Sequence, residues 1–112
     1  MLVFNFGSLS VALGDPQFPP GQLVVSSVVT ELEKRGRLFA ALYLRRHLNG
    51  DWGDADEALQ KANAIGVRNG RRLISLYRIA FDITLRITTE ADRSMTLIQL
   101  DGEASDASRP MS

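Results

Sequence analysis

The sequence predicts an α+β domain in which two or three helices pack on one face of an antiparallel sheet. Apolar residues recur at helical spacing between about residues 27 and 65, and from Arg71 onward they alternate at the period of a strand. The links between the later strands are short, which favours antiparallel neighbours. One sheet covered by helices buries the apolar side of every element, so we expect an α+β sandwich.

The first 20 residues predict an N-terminal arm. Two short apolar pieces, residues 2–6 and 9–13, are separated by Gly7-Ser8 and followed by a segment rich in proline and glycine. The alternation within residues 2–6 indicates a short strand or an extended arm that covers the core. We therefore divide the chain into an arm at 1–20, one α+β domain at 21–100 and a flexible tail at 101–112.

The helical region opens with a short apolar strand and then shows three apolar stripes. Ser26 or Ser27 is a suitable N-cap, Gly36 a suitable end of the first helix, and Asn49-Gly50 must end the second. Asp54 or Asp56 caps the third helix, and Gly66 ends it. One unbroken helix over 27–48 is the alternative. The sequence thus predicts an edge strand at 22–25 and helices at about 27–35, 38–48 and 55–65.

A three-stranded meander is predicted over residues 71–100. Its runs are rich in β-branched and aliphatic residues, and their links lie near residues 80–82 and 89–93.

Composition narrows the function classes. The chain has 112 residues and no cysteine, which excludes disulfides and cysteine-ligated metals. Basic and acidic residues balance at 13 each, so no overall field draws the protein to nucleic acid or to an acidic membrane. The apolar N-terminus has no basic residue ahead of it and is a poor signal peptide. We expect a cytoplasmic protein.

The loop at residues 46–54 holds the only histidine and the only tryptophan of the chain. If the loop folds back, His47 and the carboxylate of Asp51 or Asp54 could perform acid–base chemistry, because imidazole titrates near neutrality. The structural alternative is that His47 favours the end of its helix and Asp54 caps the next one. Trp52 could stack on a ligand, but more often such a residue closes the core.

A second polar segment lies in the hairpin link at residues 89–94. Arg93 could hold an anion while Glu90 and Asp92 orient a partner; the alternative is a solvated turn. His47, Asp51, Glu90 and Asp92 together could bind a divalent metal, but the spacing is not that of a known metal motif, and we assign neither a metal nor a cofactor. The arginines that could meet phosphate are Arg45, Arg46, Arg68, Arg71, Arg72 and Arg78.

Several of these segments carry a family resemblance. The motifs His-x-x-Gly-Asp-Trp-Gly-Asp at residues 47–54 and Thr-Glu-Ala-Asp-Arg-Ser-x-Thr at 89–96 are joined by Gly21-Gln22-Leu23-Val24, Asn63 and the run from Arg72 to Tyr77. In this order they resemble a family of short bacterial proteins encoded on plasmids, integrated elements and prophages, labelled "plasmid-related protein". The resemblance covers about residues 21–100. It implies an accessory role in a mobile element and no particular reaction.

The chain departs from that family in three places. Phe81-Asp82 stands where the family has an Asp-Gly turn, the arm at 1–20 is additional, and the ending after the last strand differs.

We therefore expect a mobile-element accessory protein that acts by binding, for example as an inhibitor of a host defence system such as CRISPR or restriction. The expected partner is a host protein; a small anionic ligand is a second possibility, and no membrane is involved. The alternatives are a small acid–base or metal-assisted hydrolase centred on His47, Asp51, Glu90 and Asp92, and a nucleic-acid-binding module. We expect loop 49–54 and turn 89–94 to form one surface, and the candidate binding residues are Arg46, His47, Asp51, Trp52, Asp54, Ser75, Tyr77, Glu90, Asp92 and Arg93.

Overall fold

A computed structural model describes residues 3–6, 9–12 and 16–103 of the chain. The predicted tail is therefore described only as far as residue 103, and its remainder lies outside the described residues. The strands are β1 (Val3–Phe6), β2 (Leu9–Ala12), β3 (Gln22–Val25), β4 (Leu73–Ala80), β5 (Ile83–Thr89) and β6 (Met95–Leu100). The helices are α1 (Ser27–Lys34), α2 (Ala40–Leu48) and α3 (Glu57–Asn69).

The four later strands form one sheet in the order β3-β6-β5-β4, and β1 pairs with β2 in a separate hairpin. This confirms the predicted α+β fold with its antiparallel meander and the strand at 22–25 on the edge. The sheet is mixed rather than antiparallel throughout, because β3 runs parallel to β6. Link length could not reveal this direction, since three helices and two strands separate β3 from β6.

The first two helices are separate, so the alternative of one continuous helix is wrong. Gly36 adopts φ +70°, a left-handed angle that ends the first helical segment. A carboxylate oxygen of Glu33 then accepts the backbone N–H of Ala40 at 2.9 Å and satisfies the start of α2. Ser26 caps α1 by accepting from the N–H of Val29 at 3.2 Å.

The third helix is longer than predicted. Gly66 lies inside α3, and the helix ends at Gly70, which adopts φ +69°. A Cβ at Gly66 would stand 3.0 Å from the side chain of Leu73, so this glycine allows β4 to approach the helix closely. At 13 residues, α3 is the longest helix among the described residues. None of the described helices is long and apolar enough to cross a bilayer.

The core lies between the helices and one face of the sheet. Alternate residues of β4, β5 and β6 point to this face, as the register of Ser75 with Ile87 and of Ile87 with Ile98 shows. The fully buried apolar residues of the core are Val29, Ala40, Ala41, Leu44, Leu48, Leu73, Leu85, Ile87 and Ile98. Polar residues at the same inward positions, Ser75, Thr89 and Thr96, are also fully buried and require partners inside the protein.

Candidate functional site

His47 lies at the centre of a buried chain of hydrogen bonds. The residue sits in the last turn of α2 and is fully buried. Its Nδ1 lies 2.6 Å from Oγ of Ser75 on β4, and its Nε2 lies 2.9 Å from Oγ1 of Thr89 on β5. Thr89 in turn lies 2.7 Å from Oγ1 of Thr96 on β6, and Thr96 donates to the carbonyl oxygen of Pro20 at 2.7 Å. One imidazole thereby ties three strands and the segment before β3 to a helix.

The order of protons along this chain follows from its last member. The carbonyl of Pro20 can only accept, so Thr96 uses its one hydroxyl proton there. Thr89 must then donate to Thr96, which leaves the oxygen of Thr89 as an acceptor for the N–H at Nε2 of His47. In a neutral ring Nδ1 accepts the hydroxyl proton of Ser75. The geometry therefore selects the Nε2–H tautomer.

The neutral form of His47 is strongly favoured. Burial, followed by the positive charge of Arg93, lowers the pKa of the imidazole from 6.5 to about 3. An uncharged ring without solvent access is a structural hydrogen-bonding group at neutral pH. It is not poised to exchange protons with a substrate.

An aromatic cluster closes over the imidazole. Phe18 and Trp52 both meet the ring edge-on, with centroid distances of 5.3 and 5.7 Å, and they stack on each other at 6.3 Å. The guanidinium carbon of Arg93 lies 5.5 Å from the centre of the Phe18 ring. The structure thus brings the loop of Trp52 and the turn of Arg93 together, and the contact between them is a phenylalanine of the N-terminal arm.

Asp51 is engaged by its own loop and by the preceding helix. Its carboxylate accepts from Nε and Nη2 of Arg46 at 2.8 and 3.3 Å, and from the N–H of Gly53 at 3.1 Å. The hydrogen bond from Arg46 is the main reason that the pKa of Asp51 is lowered. Arg46 also covers the ring of Tyr77 at 4.7 Å, and the Tyr77 hydroxyl donates to the Asp51 carbonyl at 2.6 Å. Burial raises the pKa of that phenol.

The next residues of the motif seal the outer edge of β4. β4 is an edge strand, and the backbone N–H and C=O groups of its even-numbered residues point away from β5. Without further contacts these groups would have no partners within the sheet. Leu76 donates to the carbonyl of Trp52 at 3.3 Å and accepts the N–H of Asp54 at 2.6 Å. The carboxylate of Asp54 accepts the N–H of Arg78 at 2.8 Å. Asp54 therefore binds the strand edge, whereas Asp56 supplies the cap of α3.

Two further residues complete this edge. Asn63 of α3 is fully buried; its Nδ2 donates to the Ile74 carbonyl at 2.8 Å and its Oδ1 accepts the Ile74 N–H at 3.1 Å. Gly53 forms a parallel bridge with Leu76 at φ +69°, and a Cβ there would collide with the carbonyl of Leu76 and the ring of Tyr77. Only glycine fits this close approach of two backbones.

The turn between β5 and β6 is held together from within. Arg93 has φ +61°, and its guanidinium donates to the carbonyls of Gly66, Arg71 and Glu90 at 2.8, 2.7 and 3.1 Å. It therefore ties the turn to the end of α3 and does not present a free fork to an anion. Asp92 is exposed and accepts the N–H of Ser94 at 3.0 Å; hydrogen bonds from Ser94 lower the pKa of Asp92. Glu90 pairs with Arg72 at 3.3 Å.

These contacts do not assemble the constellation that a hydrolase would need. The partners of His47 are hydroxyl groups, and no described hydrogen bond links the ring to Asp51, Glu90 or Asp92. Across the segments that the structure describes, no three residues of the metal-ligating types gather at a possible metal site. Of the candidate arginines, Arg46 and Arg72 pair with carboxylates, and Arg78 covers the ring of Phe81.

Sequence reasoning did not include several of these residues in the candidate site. Thr89 and Thr96 carry hydroxyls at positions that strand alternation directs into the core, and the single histidine was an available partner. Asn63 interrupts the small apolar face of α3, which was a signal that a buried amide needs a backbone partner there. Phe18 gave no such signal, because no local period connects the arm to the core.

No protein-family model, curated protein or solved structure was found to match the chain.

Proposed function

We propose that this protein works by binding another protein and not by catalysing a reaction. Two features support the proposal. The residues that could carry chemistry are engaged in contacts within the protein: His47 is buried and neutral, and Asp51, Glu90 and Asp92 each accept hydrogen bonds from neighbouring residues. A large aromatic side chain, Phe81, is instead presented to solvent at the tip of the β4–β5 hairpin with 88% of its surface exposed.

The exposed Phe81 is the observation that carries the proposal. The neighbouring Arg78 places its guanidinium carbon 5.6 Å from the ring centre and donates from Nη2 to the Phe81 carbonyl at 2.9 Å. The backbone N–H of Arg78 is held by Asp54 at 2.8 Å, so the hairpin tip is fixed to loop 49–54. An exposed aromatic residue beside an arginine is the composition typical of interface anchors.

The binding free energy that Phe81 could contribute follows from the area of its side chain that a partner would bury. A phenylalanine buries roughly 150–200 Å² when it enters a pocket, which corresponds to about 4–5 kcal/mol at 25 cal/mol per Å². Part of this is offset by the loss of rotational and side-chain freedom on association. We therefore expect truncation of Phe81 to weaken the binding free energy by about 2 kcal/mol or more, which is near 30-fold in affinity.

The biological setting of the proposal comes from the sequence motifs. Their resemblance to plasmid- and prophage-encoded proteins supports an accessory role for a mobile element in the cytoplasm of a bacterial host. A host protein or complex is the proposed partner, and a defence complex such as CRISPR or restriction is the proposed target. Phe81 stands where the family has an Asp-Gly turn, so this anchor would be particular to the present chain.

The test compares two exposed apolar residues on the same protein. The tagged wild type, Phe81→Ser and Leu42→Ser are used to capture partners from host lysate, with a photo-crosslinking residue at position 80 in each. Leu42 is 48% exposed on α2 and serves as the matched control. The expected result is a crosslinked protein that wild type and Leu42→Ser retain and that Phe81→Ser loses. A partner that Phe81→Ser retains fully, or no partner at all, would count against the proposal.

A further inference from the structure

The two edges of the four-stranded sheet are treated differently, and this difference points to an interface. The β4 edge is closed by Asn63 and by the loop of Trp52 and Asp54. The β3 edge has no such cover among the described residues. We propose that β3 pairs antiparallel with β3 of a second copy of this chain, which makes one continuous eight-stranded sheet.

The direction of the free backbone groups follows from the ladder between β3 and β6. Gln22 donates to the Ser94 carbonyl at 3.0 Å and Ser26 donates to the Ile98 carbonyl at 2.9 Å, in a parallel register that aligns Val24 with Leu97. In a parallel ladder alternate residues face the neighbour, so residues 22, 24 and 26 face β6. The N–H and C=O groups of Leu23 and Val25 therefore point to the open side of the sheet.

This edge also lacks the features that keep edge strands apart. Residues 16–30 contain no charged side chain, and β3 itself contains neither proline nor a lysine. Natural proteins usually protect an exposed edge with charges, prolines, bulges or a covering segment. Here Leu23, Val24 and Val25 are aliphatic and only partly buried. No like charges within the strand would oppose each other across a two-fold axis, so self-pairing meets no electrostatic penalty there.

One register satisfies every outward group. With the two-fold axis at Val24, Leu23 lies opposite Val25 of the second copy, and the two strands exchange four hydrogen bonds. A shift in one direction would place Gly21, whose φ is +67°, in the ladder, and a shift in the other would require residue 27, where α1 begins. The axis is normal to the sheet, so both α1 helices lie on the same face. Val28, the second residue of α1, is 38% exposed.

Strand β3 has only four residues, so the two copies share a short contact. Such an interface is small, and we expect a dimer with a Kd of roughly 10–500 µM.

A cysteine crosslink tests the register directly, because the natural chain has no cysteine. In Val24→Cys the two thiols face each other across a non-hydrogen-bonded pair with Cα atoms about 4.5 Å apart, within disulfide range. In the control Gln22→Cys the Cα atoms of the two cysteines are about 14 Å apart, because the two positions are offset by four residues, about 13 Å, along the strands and by about 5 Å across them. We expect oxidation at about 100 µM protein to give a covalent dimer from Val24→Cys and little from Gln22→Cys. Equal yields, or none from Val24→Cys, would overturn the register.

Sedimentation equilibrium of the full chain tests the edge itself. Val25→Pro removes an outward N–H and leaves the ladder to β6 intact, whereas Val25→Thr keeps that N–H. We expect the wild type and Val25→Thr to dimerise and Val25→Pro to dimerise at least about tenfold more weakly. Circular dichroism shows whether each variant is folded. If Val25→Pro is unfolded, the disulfide crosslink of Val24→Cys remains as the test of the proposal. A wild type that is monomeric up to about 1 mM would refute the proposal, because at that concentration even a Kd of about 500 µM would place more than half of the chains in dimers.

Discussion

Replacing Asn63 by alanine removes the side chain that closes one end of the β4 edge. The amide is fully buried and makes two hydrogen bonds with the backbone of Ile74, at 2.8 and 3.1 Å. The substitution leaves a backbone N–H and a backbone C=O without partners, each of which costs about 1–3 kcal/mol when water cannot replace them. Because an edge position admits some water, we expect a loss of about 2–4 kcal/mol in the free energy of unfolding.

The loss is measured by urea denaturation at pH 7, together with hydrogen exchange of the Ile74 amide. Asn69→Ala is the matched control, since Asn69 is an exposed residue of the same helix. We expect the control to change stability by less than about 0.5 kcal/mol and to leave exchange at Ile74 slow. If Asn63→Ala were within about 0.5 kcal/mol of the wild type, the pairing of Asn63 with β4 would not stabilise the fold as argued.

Three further perturbations test other parts of the structure. The pKa of His47 is lowered to about 3 in the folded chain, against 6.5 when unfolded, so its contribution to stability is full above pH 6.5 and is lost as pH falls. Denaturation at pH 7, 6 and 5 should show that the free energy of unfolding of the wild type falls below pH 6 by an amount approaching about 1.4 kcal/mol per pH unit. The variant His47→Gln should lack this fall, and an equal slope in both proteins would contradict its assignment to His47. Gly53→Ala should lower the free energy of unfolding by at least about 2 kcal/mol more than Gly36→Ala. Both glycines have positive φ, but only at Gly53 would an added Cβ collide with other atoms. Equal losses would show that the contact with Leu76 is not tight. Phe81→Ser should change the melting temperature by no more than about 2 °C, because the ring is 88% exposed, and a larger fall would mean that Phe81 serves the fold.

Local pattern was enough to predict most of the fold. The change of period near Arg71 located the meander, and the ends of the first two helices followed from the left-handed backbone angles that Gly36 and Gly50 adopt. Gly66 misled the prediction because a glycine in a helix can serve close packing as well as termination. The parallel direction of β3 depends on tertiary packing and leaves no trace in the spacing of residues.

The candidate site was less accessible to sequence reasoning. Spacing identified the polar loop and the polar turn, but it could not show that Asp51 and Asp54 bind their own loop and the β4 edge. The same carboxylates in the same order would suit a catalytic loop. What distinguishes the two uses is the identity of the donors, and here those donors are backbone N–H groups and Arg46. That information exists only once the chain has folded.

We propose that the motif around His47 builds the fold and performs no proton chemistry. The single histidine of the chain makes a direct measurement possible, because ¹⁵N-labelled histidine in the full-length protein gives one set of imidazole signals. Long-range ¹H–¹⁵N correlation spectra between pH 8 and 5 should show a neutral ring protonated at Nε2 and no titration over that range. A ring that titrates near pH 6.5, or that carries its proton on Nδ1, would contradict the account.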